Sequence, residues 1–187
     1  VWYPATITVA PASEPVTLDQ VKAQSRIETT DEDTYLGGLI AAARAHVESL
    51  CGIRIITQTI SAKCDAFADL ATLPFGPVAS VSSLTYVDVA GTVQTLPGSV
   101  YEARADGLAA SIVLKNGQAW PTMQTGSRIT VTAVVGTAAA PDEIKQAMLM
   151  LIGHWYVNRE AVGQNNVAPM PMAVDALLTN WRRFAFA

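Results

Sequence analysis

Positive charge is too scarce in this sequence to build a general nucleic-acid binder. Lys and Arg number 12 in 187 residues against 16 Asp and Glu, a formal net charge of −4, whereas such a binder presents a basic face. This leaves room for a wall that DNA slides past without adhering. Charge of either sign is sparse: 15% of residues are charged, against ~25% in an ordinary globular chain. There are two cysteines, Cys51 and Cys64, and two histidines, His46 and His154. Neither pair has a metal-ligand spacing, so no zinc site and no metal or other cofactor is expected. A buried free thiol is the expected state of each cysteine, compatible with a reducing compartment. No apolar run reaches the ~18 residues of a membrane span, and no charged-then-apolar signal segment opens the chain. The phosphate-cradling, dinucleotide, metalloprotease, nucleophile-elbow and EF-hand motifs are all missing.

What is abundant is apolar surface. Half the residues are hydrophobic. At this length roughly 70% of the unfolded chain's surface can be buried, enough for a self-sufficient core. The surplus points to surface covered by partners. It is concentrated in PDEIKQAMLMLIGHWYVNRE, Pro141 to Glu160. Pro141 suits the first helical position. Asp142 and Glu143 complement the positive helix start, and Arg159 the negative end. Ile144, Ala147, Met148, Leu151, Ile152 and Trp155 form one apolar face at helical spacing. Leu149, Met150, Tyr156 and Val157 point away from it. One face can meet the domain's own core; the second needs the rest of the chain or a neighbouring subunit.

Before this helix, residues 1–16 read as an extended arm with an alternating patch at Thr6 to Val9. Thr17 and Gln20 have capping-box spacing, which predicts a short helix. Thr30 and Asp33 repeat the spacing ahead of a second helix, Asp31 to Cys51, buried through Leu36, Leu39, Ile40, Ala43, Val47 and Leu50 and ended by Gly52. Between Ile53 and Gly136, β-branched residues and turn pairs predict strands at Ile53–Lys63, Ser80–Val89, Val100–Ala105, Ser111–Leu114 and Arg128–Val135. Asp106-Gly107, Asn116-Gly117 and Ala90-Gly91 mark turns. After the long helix comes a polar, proline-punctuated loop, then a last helix from Met172 to about Arg183. The expected class is α+β: a helical core of about four helices (residues 17–52 and 137–184), a small antiparallel sheet inserted between the second and third helices (residues 53–136), and a short tail (residues 185–187).

Chemical constellations have plainer explanations. A hydrolase would pair His46 with Ser49 or Cys51, but no spacing selects such a pair, and helix packing accounts for both histidines. Asp31, Glu32 and Asp33 could hold a metal; charge at a helix start explains them more simply. Trp155 and Tyr156 could stack on a ligand, and core packing is the plainer account. Trp120 lies in a loop, where it could be a contact or a plug at the sheet's end. Trp181, Arg182, Arg183, Phe184 and Phe186 put three aromatics and two arginines into six residues, the types enriched at interface hot spots.

Taken in order, EPVTLDQVKAQSRI, DEDTYLGGLIAAARAHVESLCGIRIITQT, SVSSLTYVDVAGTVQTL with AWP, PDEIKQAMLMLIGHWYVNREAV and PMAVDALLTNWR form a set. It resembles the head-tail connector (adaptor) proteins of tailed bacteriophages, the gp6-like or gp8-like connector family, which gene transfer agents also carry. The resemblance runs from about Glu14 to Arg183 and leaves out the arm, Val1 to Ser13. It implies a structural virion protein with no catalytic residues. Such a protein forms a homo-oligomeric ring, typically dodecameric, at the head-tail neck and is assembled in the host cytoplasm. The ring would sit under the portal protein, extend the DNA channel without sequence-specific binding, and dock the next neck or tail protein, a stopper or tail terminator. On that reading Leu149, Met150, Tyr156 and Val157 are expected at the subunit interface, and Trp181, Arg182, Arg183, Phe184 and Phe186 at the portal. The alternatives are a hydrolase using Ser49 or Cys51 with His46, and a small monomeric module binding carbohydrate or peptide.

Overall fold

The structure is a computed structural model that describes residues 1–159 and 172–183. The chain divides into two compact units. One holds residues 1–12, 52–138 and, from the C-terminal end, Arg183; the other holds residues 13–51 and 139–182.

The first unit is built on a five-stranded antiparallel sheet. Its strands are β1 (Thr6–Val9), β2 (Gln58–Cys64), β3 (Val78–Val87), β4 (Val93–Thr95) and β7 (Ile129–Val135), in the order β1-β2-β7-β3-β4. A separate hairpin pairs β5 (Tyr101–Asp106) with β6 (Ala109–Leu114). Strict alternation explains the two central strands: Ile60, Ala62 and Cys64 of β2 and Ile129, Val131, Ala133 and Val135 of β7 point into the core, as period-2 patterning requires. Phe67 of a short 3-10 turn, Phe67–Ala71, stacks on Trp120 at 4.8 Å. The aromatic expected in a loop therefore packs against the core of the unit. The Asp106-Gly107, Asn116-Gly117 and Ala90-Gly91 turns form, with each glycine at positive φ. Gly136 is obligatory: φ is +88° and a Cβ there would lie 2.4 Å from the Ile56 carbonyl oxygen.

The expected sheet needs correction. It is neither small nor simply inserted between the second and third helices, because its first strand comes from the N-terminal arm. Thr6 and Ile7 pair with Ser61 and Ile60. Trp2 packs edge-on against Phe75 at 5.9 Å, and its indole N–H donates to the carbonyls of Asp69 and Thr72. The arm's alternating patch is thus an edge strand of the sheet. The Ile53–Lys63 strand starts later, at Gln58, because the backbone of Arg54, Ile55 and Thr57 is committed to Gly76 and Thr137 instead. Three-residue β4 carried too short a signal to predict.

The second unit is helical. Helix α1 (Leu18–Ser25) opens with the expected capping box: the Gln20 N–H donates to Thr17 Oγ1 at 3.2 Å and the Thr17 N–H to Gln20 Oε1 at 2.9 Å. Helix α2 (Asp33–Cys51) starts two residues later than expected, after a turn in which the Asp33 N–H reaches the Thr30 carbonyl. Helix α3 (Asp142–Val157) takes Pro141 as its cap and not as its first residue. Helix α4 (Met172–Leu178) tightens into a 3-10 turn, Thr179–Trp181. α3 packs on α1, α2 and α4. Arg44 of α2 makes a two-pronged ion pair with Glu14, at 2.7 and 3.2 Å, and lies 3.7 Å from buried Glu48. That pairing lets a carboxylate sit inside an otherwise apolar helix face. The expected loop between α3 and α4 lies outside the described residues.

Candidate subunit interface on the third helix

Helix α3 has two apolar faces, and only one is enclosed. Ile144, Ala147, Met148, Leu151 and Ile152 are buried. Trp155, expected with them, is only half-buried and meets His46 edge-on at 5.7 Å; at the last turn of α3 the stripe runs out toward solvent. On the other side Leu149, Met150 and Tyr156 are half-buried and Val157 is 77% exposed.

These four residues, the expected interface set, come together. With Gln24, Ser25 and Gly153 they line a single open cleft of about 300 Å³ between α1 and α3. No lining residue is charged. Gln24, Ser25 and Gly153 were not foreseen. The signal for Gly153 lies in spacing: Leu149 and Met150 stand four and three residues before it, Tyr156 and Val157 three and four after it.

The cleft's aromatic wall is held at its polar end. The Tyr156 hydroxyl donates to Glu32, and Arg159 Nη2 lies 2.5 Å from the same carboxylate. The Arg159 guanidinium covers the rings of Tyr35 and Tyr156 at 4.7 and 5.0 Å. The Tyr156 hydrogen bond, then the Arg159 pair, holds the Glu32 carboxyl below its ordinary value; the same bond pushes the Tyr156 phenol up. The sequence offers Glu32 as helix-start charge or, with Asp31 and Asp33, as a metal ligand. Its partners on α3, 124 and 127 residues away, are a tertiary pairing that local spacing does not reveal.

Three residues of the C-terminal set fall among the described residues. Trp181 is half-buried at the end of the 3-10 turn, and Arg182 pairs with Asp175 at 2.7 Å. Arg183 donates to the Leu73 carbonyl at 2.6 Å, and burial pushes its guanidinium down. Phe184 and Phe186 lie outside the described residues. Of the hydrolase candidates, Ser49 is exposed and Cys51 buried, with its thiol pushed up by burial. Cys64, also buried, is pushed up to about 11. No hydrogen bond among the described residues joins His46 to Ser49 or Cys51. Among those residues there is also no His, Cys, Asp and Glu grouping able to hold a metal, and no helix long and apolar enough to cross a membrane.

Comparison with known proteins decides the family. The head completion protein family matches residues 14–184. The chain belongs to that family. No curated protein matches it at a significant level. Among solved structures, the head completion fold is similar to a chain in the neck of an empty gene transfer agent (GTA) particle computed with C6 symmetry. That match has a TM-score of 0.80 and 23% identity and covers 99% of this chain and 98% of the other. A chain in the virion of a native GTA particle matches with TM-score 0.80 and 24% identity, covering 98% and 97%. A chain in the neck of a native GTA particle computed with C12 symmetry matches with TM-score 0.68 and 22% identity, covering 97% and 98%. At these identities the likeness establishes the fold.

Proposed function

We propose that this head completion protein is a structural component of a virion neck, the adaptor ring between portal and tail. The ring extends the DNA channel and docks the next neck protein, a stopper or tail terminator. Family membership over residues 14–184 supports a role in completing the head. The similar chains come from GTA neck structures computed with C6 and with C12 symmetry, both of which a twelve-membered ring satisfies.

The observation that carries the reading is the second apolar face of α3. Leu149, Met150, Tyr156 and Val157 stay partly uncovered within their own unit, and a contiguous apolar surface of this kind favours cover by a partner. In a closed ring each copy presents this face to its neighbour. Portal docking falls to the C-terminal segment. Arg183 bonds to the Leu73 carbonyl within the sheet unit, and Phe184 and Phe186 meet the portal together with Trp181 and Arg182. DNA passes without sequence-specific contact, in keeping with the net charge of −4.

Co-purification with portal protein tests the proposal. A complex containing portal and a homo-oligomer of this chain is expected. An isolated chain that never joins portal, in cells assembling particles, contradicts it.

A further inference from the structure

Gly153 is expensive where it stands. It lies inside α3, and a glycine within a helix costs roughly 0.5–1 kcal/mol relative to alanine. The subunit does not require it. Its φ lies outside the left-handed region, and a Cβ built there meets only the Ser25 hydroxyl oxygen, at a comfortable 3.9 Å. The fold of one copy would accept alanine and gain by it.

The cost is explained by what surrounds the position. Leu149, Met150, Tyr156 and Val157, at −4, −3, +3 and +4, are the nearest neighbours of Gly153 on the helix surface and rise around it as the cleft wall. This is how a hole is made in knobs-into-holes packing, with the floor lowered by the missing side chain. Tyr156 cannot swing in to fill it, because Glu32 holds its hydroxyl and Arg159 lies over its ring. Beside the floor, Ser25 Oγ is buried without a partner.

We infer that Gly153 is the receiving hole of the ring interface, filled by an apolar side chain from a second copy of this chain. This rests on the ring reading above. An uncharged, largely apolar lining gives no purchase to phosphate and suits an apolar side chain. Every copy carries the hole, and a ring built by rotation needs a concave patch on each subunit to meet a convex patch on the next. The similar chains occur in necks computed with C6 and C12 symmetry.

The test uses Gly153→Ala, Gly153→Leu and a control, Gly37→Ala, whose Cβ has nothing within 4 Å. Melting temperature is read on the monomer at low concentration. Ring stability is read by native mass spectrometry and sedimentation, on ring recovered alone or with co-expressed portal. Both alanine variants are expected to melt higher than the wild type. Only Gly153→Ala should weaken the ring, by about tenfold or more in dissociation constant, and Gly153→Leu should give folded monomer. Gly153→Ala rings as stable as the wild type overturn the inference, as does equal weakening by Gly37→Ala. A Leu149→Ala variant, which widens the hole without filling it, should keep its register but lose stability; unchanged stability also counts against the hole. The ring reading is scored separately. If Met150→Glu with Val157→Glu blocks assembly while Gly153→Ala does not, only the role of Gly153 fails. If the wild type forms no ring in either preparation, both fail.

Discussion

The Tyr156 hydroxyl and the Glu32 carboxylate, 124 residues apart in sequence, are joined by a hydrogen bond that fixes the rim of the α3 cleft. Arg159 donates to the other oxygen of the same carboxylate, so the ionised Glu32 accepts from a neutral phenol and from a guanidinium. The tyrosine ring thus belongs to the candidate interface and its hydroxyl to the fold of the helical unit.

That bond makes stability depend on acid. The Glu32 carboxyl is held below its ordinary value of 4.5. A lowered carboxylate contributes stability that is fully present above the ordinary value and is lost as pH falls through the folded one. Glu32→Gln should therefore melt lower than the wild type near neutral pH, with the gap closing below about pH 4. Thermal melts across that range check it; a gap that stays constant down to about pH 3 places the contribution elsewhere.

The enclosed face of α3 sets the core of the helical unit. Leu151, fully buried, should cost about 2–5 kcal/mol when replaced by alanine. Trp155→Ala should cost less than the ~3–5 kcal/mol of a buried aromatic, because the residue is only partly buried and leans on His46. Urea unfolding of the two variants gives the order directly; Trp155→Ala as the more damaging would reverse this account of the core.

Gly136→Ala should destabilise the sheet unit by more than ~1 kcal/mol. The new Cβ would collide with the Ile56 backbone, and φ is in the left-handed region. Chemical denaturation measures it, and a neutral result contradicts the local geometry.

Much of the fold could be read locally. Thr17 and Gln20 announce α1 because both partners of a capping box lie within one turn. The β2 and β7 strands show themselves by alternation, and the cleft residues by an apolar excess on α3. What stayed hidden depends on distant partners. Thr6 to Val9 alternates, but nothing local says that β2 will take it up. Glu32 gives no hint of Tyr156 and Arg159, nor Arg183 of the Leu73 carbonyl. Trp155 sits on the apolar stripe by periodicity, yet periodicity does not say where the neighbouring helices stop covering it.

If the C-terminal segment docks on the portal as proposed, Arg183 allows its anchoring to be separated from its docking. Truncation after Arg183 keeps its bond to Leu73 and removes Phe184 and Phe186. Circular dichroism should show an unchanged fold, and a pull-down should show loss of portal binding. Truncation after Asn180 should, in addition, lower the melting temperature, because the Leu73 carbonyl loses a charged donor. Undiminished portal binding by either protein moves the docking site away from this segment.

The central claim is that the open face of α3 builds the ring. Native mass spectrometry of Met150→Glu combined with Val157→Glu tests it most directly, since two carboxylates in a sealed apolar contact cannot be accommodated unpaired. The expected result is a folded monomer with wild-type circular dichroism and no ring, alone or with portal. Rings of wild-type mass from that double variant would contradict the account.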